Sequence, residues 1–375
     1  MHDPRMSEDL LSERLRFDTI IDARSPGEFA LDRIPGAINC PVLDDAERAE
    51  VGTIYKQQGA FEARRIGGAM VADNLARHLR GPLADRPRNW KPLVYCWRGG
   101  LRSGSMVQWL RLVGWDARQL PHGYQAWRRH AIALIERLGP ALELRVICGP
   151  TGTAKTRVLQ ALSALGEQVL DLEDFAAHKG SSLGDLPDRA QPTQKAFETQ
   201  LADALERFDL ARPVFIEAES RRIGKIAVPT PLLARLRSSP CIELRADVDT
   251  RLEFLLRDYG YLGDDRARLA AQVGALKGLH SNETLARWRQ WAIEGDLRAL
   301  FRELMVGHYD PLYTRSQRAN LSNYAAAPAV DVTELSAAGI DRVAEEVLAV
   351  SRMLVISEGA PSRLGGPQYP EPRLM

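Results

Sequence analysis

Cys96 closes the apolar run Leu93-Val-Tyr-Cys96 and is followed by Trp97-Arg98-Gly99-Gly100-Leu101-Arg102-Ser103. A strand that delivers a cysteine into a loop of glycines and arginines, with a helical pattern directly after it, is arranged as a nucleophile beside an anion site. Glycines let successive backbone N–H groups converge on an anion, a helix N-terminus adds positive potential, and Arg98 and Arg102 add fixed charge. The same surroundings make a thiol nucleophilic. A small buried hydrophobe at a strand end is the competing reading for any lone cysteine. It accounts for neither the glycines nor the arginines, so Cys96, Arg98 and Arg102 stand as the candidate catalytic group, with Trp97, Gly99, Gly100, Leu101 and Ser103 completing the loop.

A second anion site is written downstream. The strand-like run Ala141 to Cys148 leads into Gly149-Pro-Thr151-Gly152-Thr153-Ala154-Lys155-Thr156, and Val158, Leu159, Leu162 and Leu165 then follow at helical spacing. Strand, glycine loop, Lys-Thr and helix in that order form a P-loop, in which backbone N–H groups cradle a di- or triphosphate, Lys155 reaches its oxygens and Thr156 can hold Mg²⁺. Ala154 departs from the pattern, which has glycine there; a methyl group narrows the allowed backbone angles and crowds the phosphate.

Further candidates flank this loop. Asp171 and Glu173 follow a strand, with His178 and Ser181 close behind, and Pro213-Val-Phe-Ile-Glu217-Ala-Glu219 is an apolar run ending in acids. Glu217 or Glu219 can organise a metal or a water, although polar residues also end strands with no such role. Arg221, Arg222 and Lys225 place cations after that strand, for phosphate or simply for solubility. Arg287-Trp-Arg-Gln-Trp291 interleaves bases and aromatics as RNA stackers do. Trp288 and Trp291 lie three apart with Leu285 on the same face, which favours core packing.

The elements that must position these loops alternate strand and helix. Strands are expected at Asp18–Asp22, Ile34–Cys40, Pro92–Cys96 and Asp116–Leu120, with helical pattern from Glu47 to Arg80 and after the cysteine loop, which predicts a small α/β domain with a parallel sheet. In such sheets ligands meet the carboxyl ends of strands, where Cys96 falls. At 375 residues the chain is long enough for two domains. We expect this first domain over 1–139, a P-loop α/β domain over 140–355 with a helical segment at about 249–315, and a disordered tail over 356–375.

Fifty basic and forty-nine acidic residues leave a formal charge of +1, so a nucleic-acid partner would need a local basic surface. Four scattered cysteines exclude a close-paired zinc site and suit a reducing cytoplasm. The acidic N-terminal lead does not read as a signal peptide, and no apolar run is long enough to span a bilayer.

Asp22-Ala-Arg24, Glu28-Phe29, Ile34-Pro-Gly-Ala-Ile38, the Cys96 loop and Gly123-Tyr-Gln-Ala-Trp127 occur in the order found in rhodanese domains, and the first third of the chain resembles that family, which implies a rhodanese-like fold for the first domain. The spacing Cys-x5-Arg from Cys96 to Arg102 is one residue longer than in rhodaneses acting on thiosulfate and is similar to the loop of dual-specificity phosphatases, so a phosphate-bearing substrate is implied. A Cys-x5-Arg phosphatase therefore stays open at this point, as do an ATP-using tRNA sulfurtransferase and a sulfur-relay binding protein.

The fusion of this unit to a P-loop unit, together with Asp171-Leu-Glu173, His178 to Ser182, Gln191-Pro-Thr-Gln194 and Glu217-Ala-Glu-Ser-Arg221, resembles the bacterial tRNA 2-selenouridine synthases over nearly the whole chain. The resemblance implies exchange of sulfur for selenium at carbon 2 of a wobble 2-thiouridine in tRNA, with geranyl diphosphate and selenophosphate as co-substrates. It also implies that Cys96 carries or activates selenium, that Arg98 and Arg102 grip the phosphate of selenophosphate, and that the Gly149–Thr156 loop holds the diphosphate; whether Mg²⁺ at Thr156 takes part stays open at this point.

Overall fold

Thr-Ile-Ile-Asp and Pro-Leu-Val-Tyr form neighbouring parallel strands, β1 (Thr19–Asp22) and β3 (Pro92–Tyr95), in register from Thr19 opposite Pro92 to Asp22 opposite Tyr95. With β2 (Ile38–Asn39) and β4 (Arg118–Gln119) they make a four-stranded sheet in the order β2-β1-β3-β4. Every residue of β3 is buried, as expected for a parallel strand covered on both faces. Ile21, Val94, Met106, Leu110, Trp90 and Trp115 fill the core beside it.

The computed structural model describes residues 10–181 and 183–358; the lead through residue 9 and Ser182 lie outside them, and of the disordered tail expected over 356–375 the first three residues instead continue the final helix while residues 359–375 lie outside the described residues. The chain folds as two units. One is drawn from Met1–Glu143, Leu170–Arg212 and Glu219–Arg235, the other from Leu144–Val169, Pro213–Ala218 and Leu236–Met375.

In the first unit the continuous helical pattern from Glu47 to Arg80 is two helices, Asp45–Gln58 and Ala60–Arg80, because Gly59 sits at φ +94° between them. Asp44 and Glu47 form a capping box that starts the first of them. The helix Leu101–Val113 begins directly after the cysteine loop, and Gly123–Leu138 follows β4. The same unit holds a helix from much later in the chain, Gln194–Arg207, whose cap Thr193 accepts from Ala196 N at 3.1 Å and donates to Leu31 O at 2.6 Å. Phe197, Leu201 and Leu205 bury one side of it. Buried Thr199 accepts from Trp127 Nε1 at 3.0 Å and donates to Asp32 at 3.1 Å.

The second sheet runs β11-β10-β5-β7-β6, with β5 (Leu144–Cys148), β6 (Gln168–Leu170) and β7 (Val214–Glu217). A short antiparallel hairpin, β8 (Arg222–Ile223) and β9 (Ile226–Ala227), follows β7, and β10 (Cys241–Arg245) and β11 (Ala329–Asp331) return to the sheet. The P-loop helix is Lys155–Ala164, with Val158, Leu159 and Leu162 in the core. Leu165, expected on that face, is instead the C-cap and is 49% exposed: the helix stops before it can point inward.

The segment from Val248 to Asn320 is mostly helical, broken by turns between Gly274 and Asn282, and the final helix is Ala337–Glu358. Trp288 is buried and donates to Glu303 at 2.7 Å, as core packing predicts. Trp291 lies at the margin of that core, with Arg287 5.6 Å from its ring. Among the described residues no helix is long and apolar enough to cross a membrane.

Candidate active site and phosphate loop

Cys96 emerges from β3 nearly buried, at 3% exposure. Ser103, in the first turn of the helix Leu101–Val113, donates its hydroxyl to Cys96 Sγ at 3.1 Å. Gln119, at the end of β4, donates from Nε2 to Ser103 Oγ at 2.9 Å and to the carbonyls of Gly99 and Gly100 at 2.8 and 3.0 Å. The loop is thus held at both its glycines and at the hydroxyl that touches sulfur.

The far side of the loop is pinned by backbone. Tyr124 N donates to Cys96 O at 2.8 Å and Gln125 N to Trp97 O at 3.2 Å. Gly99 adopts φ +67°, and a Cβ there would stand 2.7 Å from Leu120 O; at Gly123 (φ +50°) a Cβ would stand 2.1 Å from Cys96 O. Both glycines are therefore required by contact as well as by backbone angle. Trp97, half-buried, stacks on Tyr124 at 5.3 Å between ring centroids. Leu101 is 75% exposed at the helix start.

The two arginines of the loop differ. Arg98 is exposed, and makes no ion pair among the described residues. Arg102 is half-buried and donates to Glu28 at 2.6 Å. Burial pushes the Glu28 carboxyl up, and this is outweighed by the hydrogen bond and charge of Arg102, the Ser25 N–H and Arg48, which together hold it below the usual carboxylate range. Below this layer Asp22 and Arg24, from the first block of the rhodanese-like pattern, form a buried ion pair at 2.6 Å. Arg24 also donates to Asp32 O at 2.6 Å, and Tyr124 donates to Asp32 at 2.6 Å.

In the second unit, Gly149 (φ +135°) and Gly152 (φ +85°) turn the chain out of β5 and Ala154 (φ +58°) enters the helix in left-handed backbone. A Cβ at Gly149 would stand 2.5 Å from Leu244 O. Thr153 Oγ1 donates to Pro150 O at 2.9 Å, and Lys155 Nζ curls over the loop to Gly149 O and Pro150 O at 3.3 and 3.2 Å. Thr151 and Thr156 are half-buried on the loop and the first helical turn. Glycines at positive φ, a helix start and one ammonium over the loop are the parts from which a P-loop is made.

Residues that sequence reasoning passed over support this loop. Arg251, 4% exposed, donates to Thr151 O at 3.0 Å and makes a two-pronged pair with Asp310 at 2.8 Å on each arm. Gln317 donates to Gly149 O at 3.1 Å, and Lys155 Nζ lies 5.6 Å from the Tyr313 ring. Their signal is faint: polar residues on the buried side of otherwise ordinary helices.

Of the supporting candidates, Asp171 caps the helix Leu172–Ala176 by accepting from Asp174 N at 2.8 Å, and burial pushes its carboxyl up. Glu173 and Glu219 both face Gly180, where an added Cβ would meet their oxygens at 2.5 and 3.4 Å. His178 is buried, with Nε2 3.5 Å from Asp185, and burial lowers its pKa against the pull of that carboxylate. Ser181 accepts from Leu183 N at 3.3 Å, which makes it a turn residue. Glu217 is buried at the end of β7, while Arg221 and Arg222 are exposed at the hairpin.

Comparison with known proteins places both loops in family context. Residues 7–130 match the Rhodanese-like domain family, and residues 142–288 match the family described as tRNA 2-selenouridine synthase AAA domain. A tRNA 2-selenouridine synthase of Nitrosomonas europaea is 39% identical over 69% of this chain and 68% of its own length. That of Alcanivorax borkumensis is 38% identical over 74% and 76%, and that of Shewanella denitrificans 34% identical over 82% and 90%.

Proposed function

Because this chain belongs to the tRNA 2-selenouridine synthase family, we propose that its two loops carry separate steps of one selenium-for-sulfur exchange on tRNA. The chain is an enzyme, a transferase that modifies tRNA with selenium. Its substrate is a wobble 2-thiouridine. The Gly149–Thr156 loop binds the diphosphate of geranyl diphosphate, with Lys155 at its oxygens and Thr156 as the residue that would hold Mg²⁺ against them. The thiouridine sulfur takes the geranyl group and diphosphate leaves with the bonding pair.

The second step belongs to Cys96. Alkylation turns a poor leaving group into a better one. The selenium of selenophosphate adds at carbon 2, the geranyl thiolate departs with its electron pair, and water then attacks phosphorus, so that the P–Se bond breaks, phosphate leaves and selenium stays on the base. Cys96 activates the donor so that its selenium stays at the selenide level throughout, Arg98 and the loop N–H groups hold the donor's phosphate, and Arg102 shapes the loop. Four free, buried cysteines suit a reducing compartment, and we place the protein in the cytoplasm.

The observation that carries this reading is Cys96 held 3.1 Å from the Ser103 hydroxyl in a glycine loop, on a chain that also owns a P-loop. A simple phosphatase or sulfur carrier has no use for the second loop. The test is mass spectrometry of nucleosides after incubating 2-thiouridine tRNA with geranyl diphosphate, selenophosphate and the protein. Cys96→Ser should leave geranylated or thiolated uridine and no selenouridine; selenouridine at the wild-type level from that variant would overturn the assignment.

A further inference from the structure

The cysteine loop is less cationic than its sequence suggests. Arg102 is matched by Glu28, which leaves Arg98 as the charge of the loop itself that has no ion pair among the described residues. A third cation reaches the same place from far along the chain. Lys195, in the first turn of the helix Gln194–Arg207, is exposed and holds Nζ 5.9 Å from the centroid of the Trp97 ring. It makes no ion pair among the described residues. The nearest acid on its helix, Glu198, is engaged by Arg128 and Gln194.

Its position is built from both sides. Arg128 donates to the Lys195 carbonyl at 3.0 Å. Gln194, the residue before it, donates to Ala227 O at 2.9 Å and accepts from Ala227 N at 2.8 Å. Thr193 ties the helix start to Leu31 O at 2.6 Å. The backbone that carries Lys195 is therefore fixed relative to Trp97, which is itself fixed by its stack on Tyr124 and by the Tyr124–Asp32 hydrogen bond.

An ammonium free of carboxylates, over a half-exposed indole, one residue from the nucleophile, is a combination suited to a nucleotide. Proteins hold unstacked bases on aromatic faces and the adjoining phosphates on cations. With a formal charge of only +1, affinity for an RNA must come from a few such local cations. A small inorganic anion would be met by the loop N–H groups and needs no aromatic platform.

We propose that Trp97 and Lys195 form the lip of the Cys96 site that receives tRNA, Trp97 as the stacking surface for a base and Lys195 as the cation for the phosphate beside it. This rests on the reading of the chain as a tRNA-modifying enzyme, and it assigns to the selenium half of the reaction a residue that lies beyond the P-loop in sequence.

The test is fluorescence anisotropy of the full-length protein with a 2-thiouridine tRNA over a series of KCl concentrations, beside selenophosphate KM values. Lys195→Ala should weaken binding about fivefold and reduce the slope of log K against log salt by about 0.7 to 1, the loss of one phosphate contact. Lys195→Arg should restore both. Trp97→Leu should weaken binding about tenfold with the slope unchanged, as loss of one stacked base does. Wild-type affinity and slope in Lys195→Ala, or a raised selenophosphate KM with tRNA binding intact, would overturn the proposal. Failure of the wild-type protein to convert 2-thiouridine would instead overturn the functional reading.

Discussion

Arg102 Nη1 stands 2.6 Å from Glu28 Oε2, so the arginine that ends the Cys-x5-Arg spacing is held by a carboxylate of the helix Pro26–Leu31. The pair shapes the loop, and its two members should act as a unit. Arg102→Ala and Glu28→Gln should each lower selenouridine formation, and the double variant should be little worse than either alone, with a coupling energy in unfolding of about 1 kcal/mol. Additive losses would show that Arg102 acts on substrate independently of Glu28. The pH dependence has a definite sign. Glu28 is held below its ordinary range in the folded state, so its contribution is present above about pH 4.3, the usual glutamate value, and is lost as pH falls through the lower folded value. Glu28→Gln should remove that part of the acid limb in urea titrations.

Gly123 and Gly36 offer a matched pair of substitutions. Both have positive φ, +50° and +74°, but a Cβ at Gly123 would stand 2.1 Å from Cys96 O whereas one at Gly36 would meet nothing within 4 Å. Gly36→Ala should cost about 1 to 2 kcal/mol, the strain of left-handed backbone alone. Gly123→Ala must in addition displace the carbonyl of the nucleophile, and should reduce turnover by well over tenfold even in preparations that remain folded by circular dichroism. Equal effects of the two would mean that the Cys96 loop tolerates movement.

How far the sequence led can be judged from these residues. Cys96, the glycines and the P-loop were legible because chemistry needs those types at fixed spacing, and because strand and helix patterns bracket them. The parallel sheets followed from the alternation of elements. Three things were not legible. The pairing of Arg102 with Glu28 joins residues far apart in sequence, and nothing in a Cys-x5-Arg spacing reveals a carboxylate partner. Arg251, Asp310 and Gln317 reach the P-loop from helices whose apolar pattern reports burial but not what a buried polar group touches. The helix Gln194–Arg207 packs with the first unit although it follows the P-loop, a choice made by its buried Thr199 and Phe197 and not by any local signal.

His178 should give the protein a second, milder acid sensitivity. Burial lowers its pKa and the facing Asp185 only partly offsets this, so the unfolded chain takes up the proton first, near the usual histidine value of about 6.5. Between that value and the folded one the unfolded state binds more protons, and stability falls as pH falls, by at most about 1.4 kcal/mol per pH unit for one such group. His178→Gln should flatten the stability profile just below neutrality. His308, lowered by burial and by His280, contributes in the same sense, so the flattening should be partial. An unchanged slope in His178→Gln would mean that the side chain is solvated enough to titrate normally.

Ala154 tests whether the departure from the P-loop pattern is costly. At φ +58° it carries the left-handed penalty of about 1 to 2 kcal/mol, which glycine would relieve. Against this, its methyl is buried in the core of the second unit, worth about 0.8 kcal/mol, and alanine restricts the unfolded chain by about 0.4 to 1 kcal/mol more than glycine does. The terms nearly cancel, so Ala154→Gly should change unfolding free energy by less than about 1 kcal/mol in either direction. Its effect should appear instead in ligand affinity: the methyl points into the core and, contrary to the expectation from sequence, does not crowd a phosphate, but glycine frees the backbone at the helix start and lets the loop N–H groups adjust to a diphosphate, so the Kd for geranyl diphosphate should fall severalfold in isothermal titration. Ala154→Val provides the opposite control, since a β-branched residue is far less tolerant of left-handed backbone than alanine. It should destabilise the protein by more than about 1 kcal/mol and weaken diphosphate binding. An Ala154→Gly protein with unaltered affinity would show that this loop already presents its N–H groups fully with alanine in place.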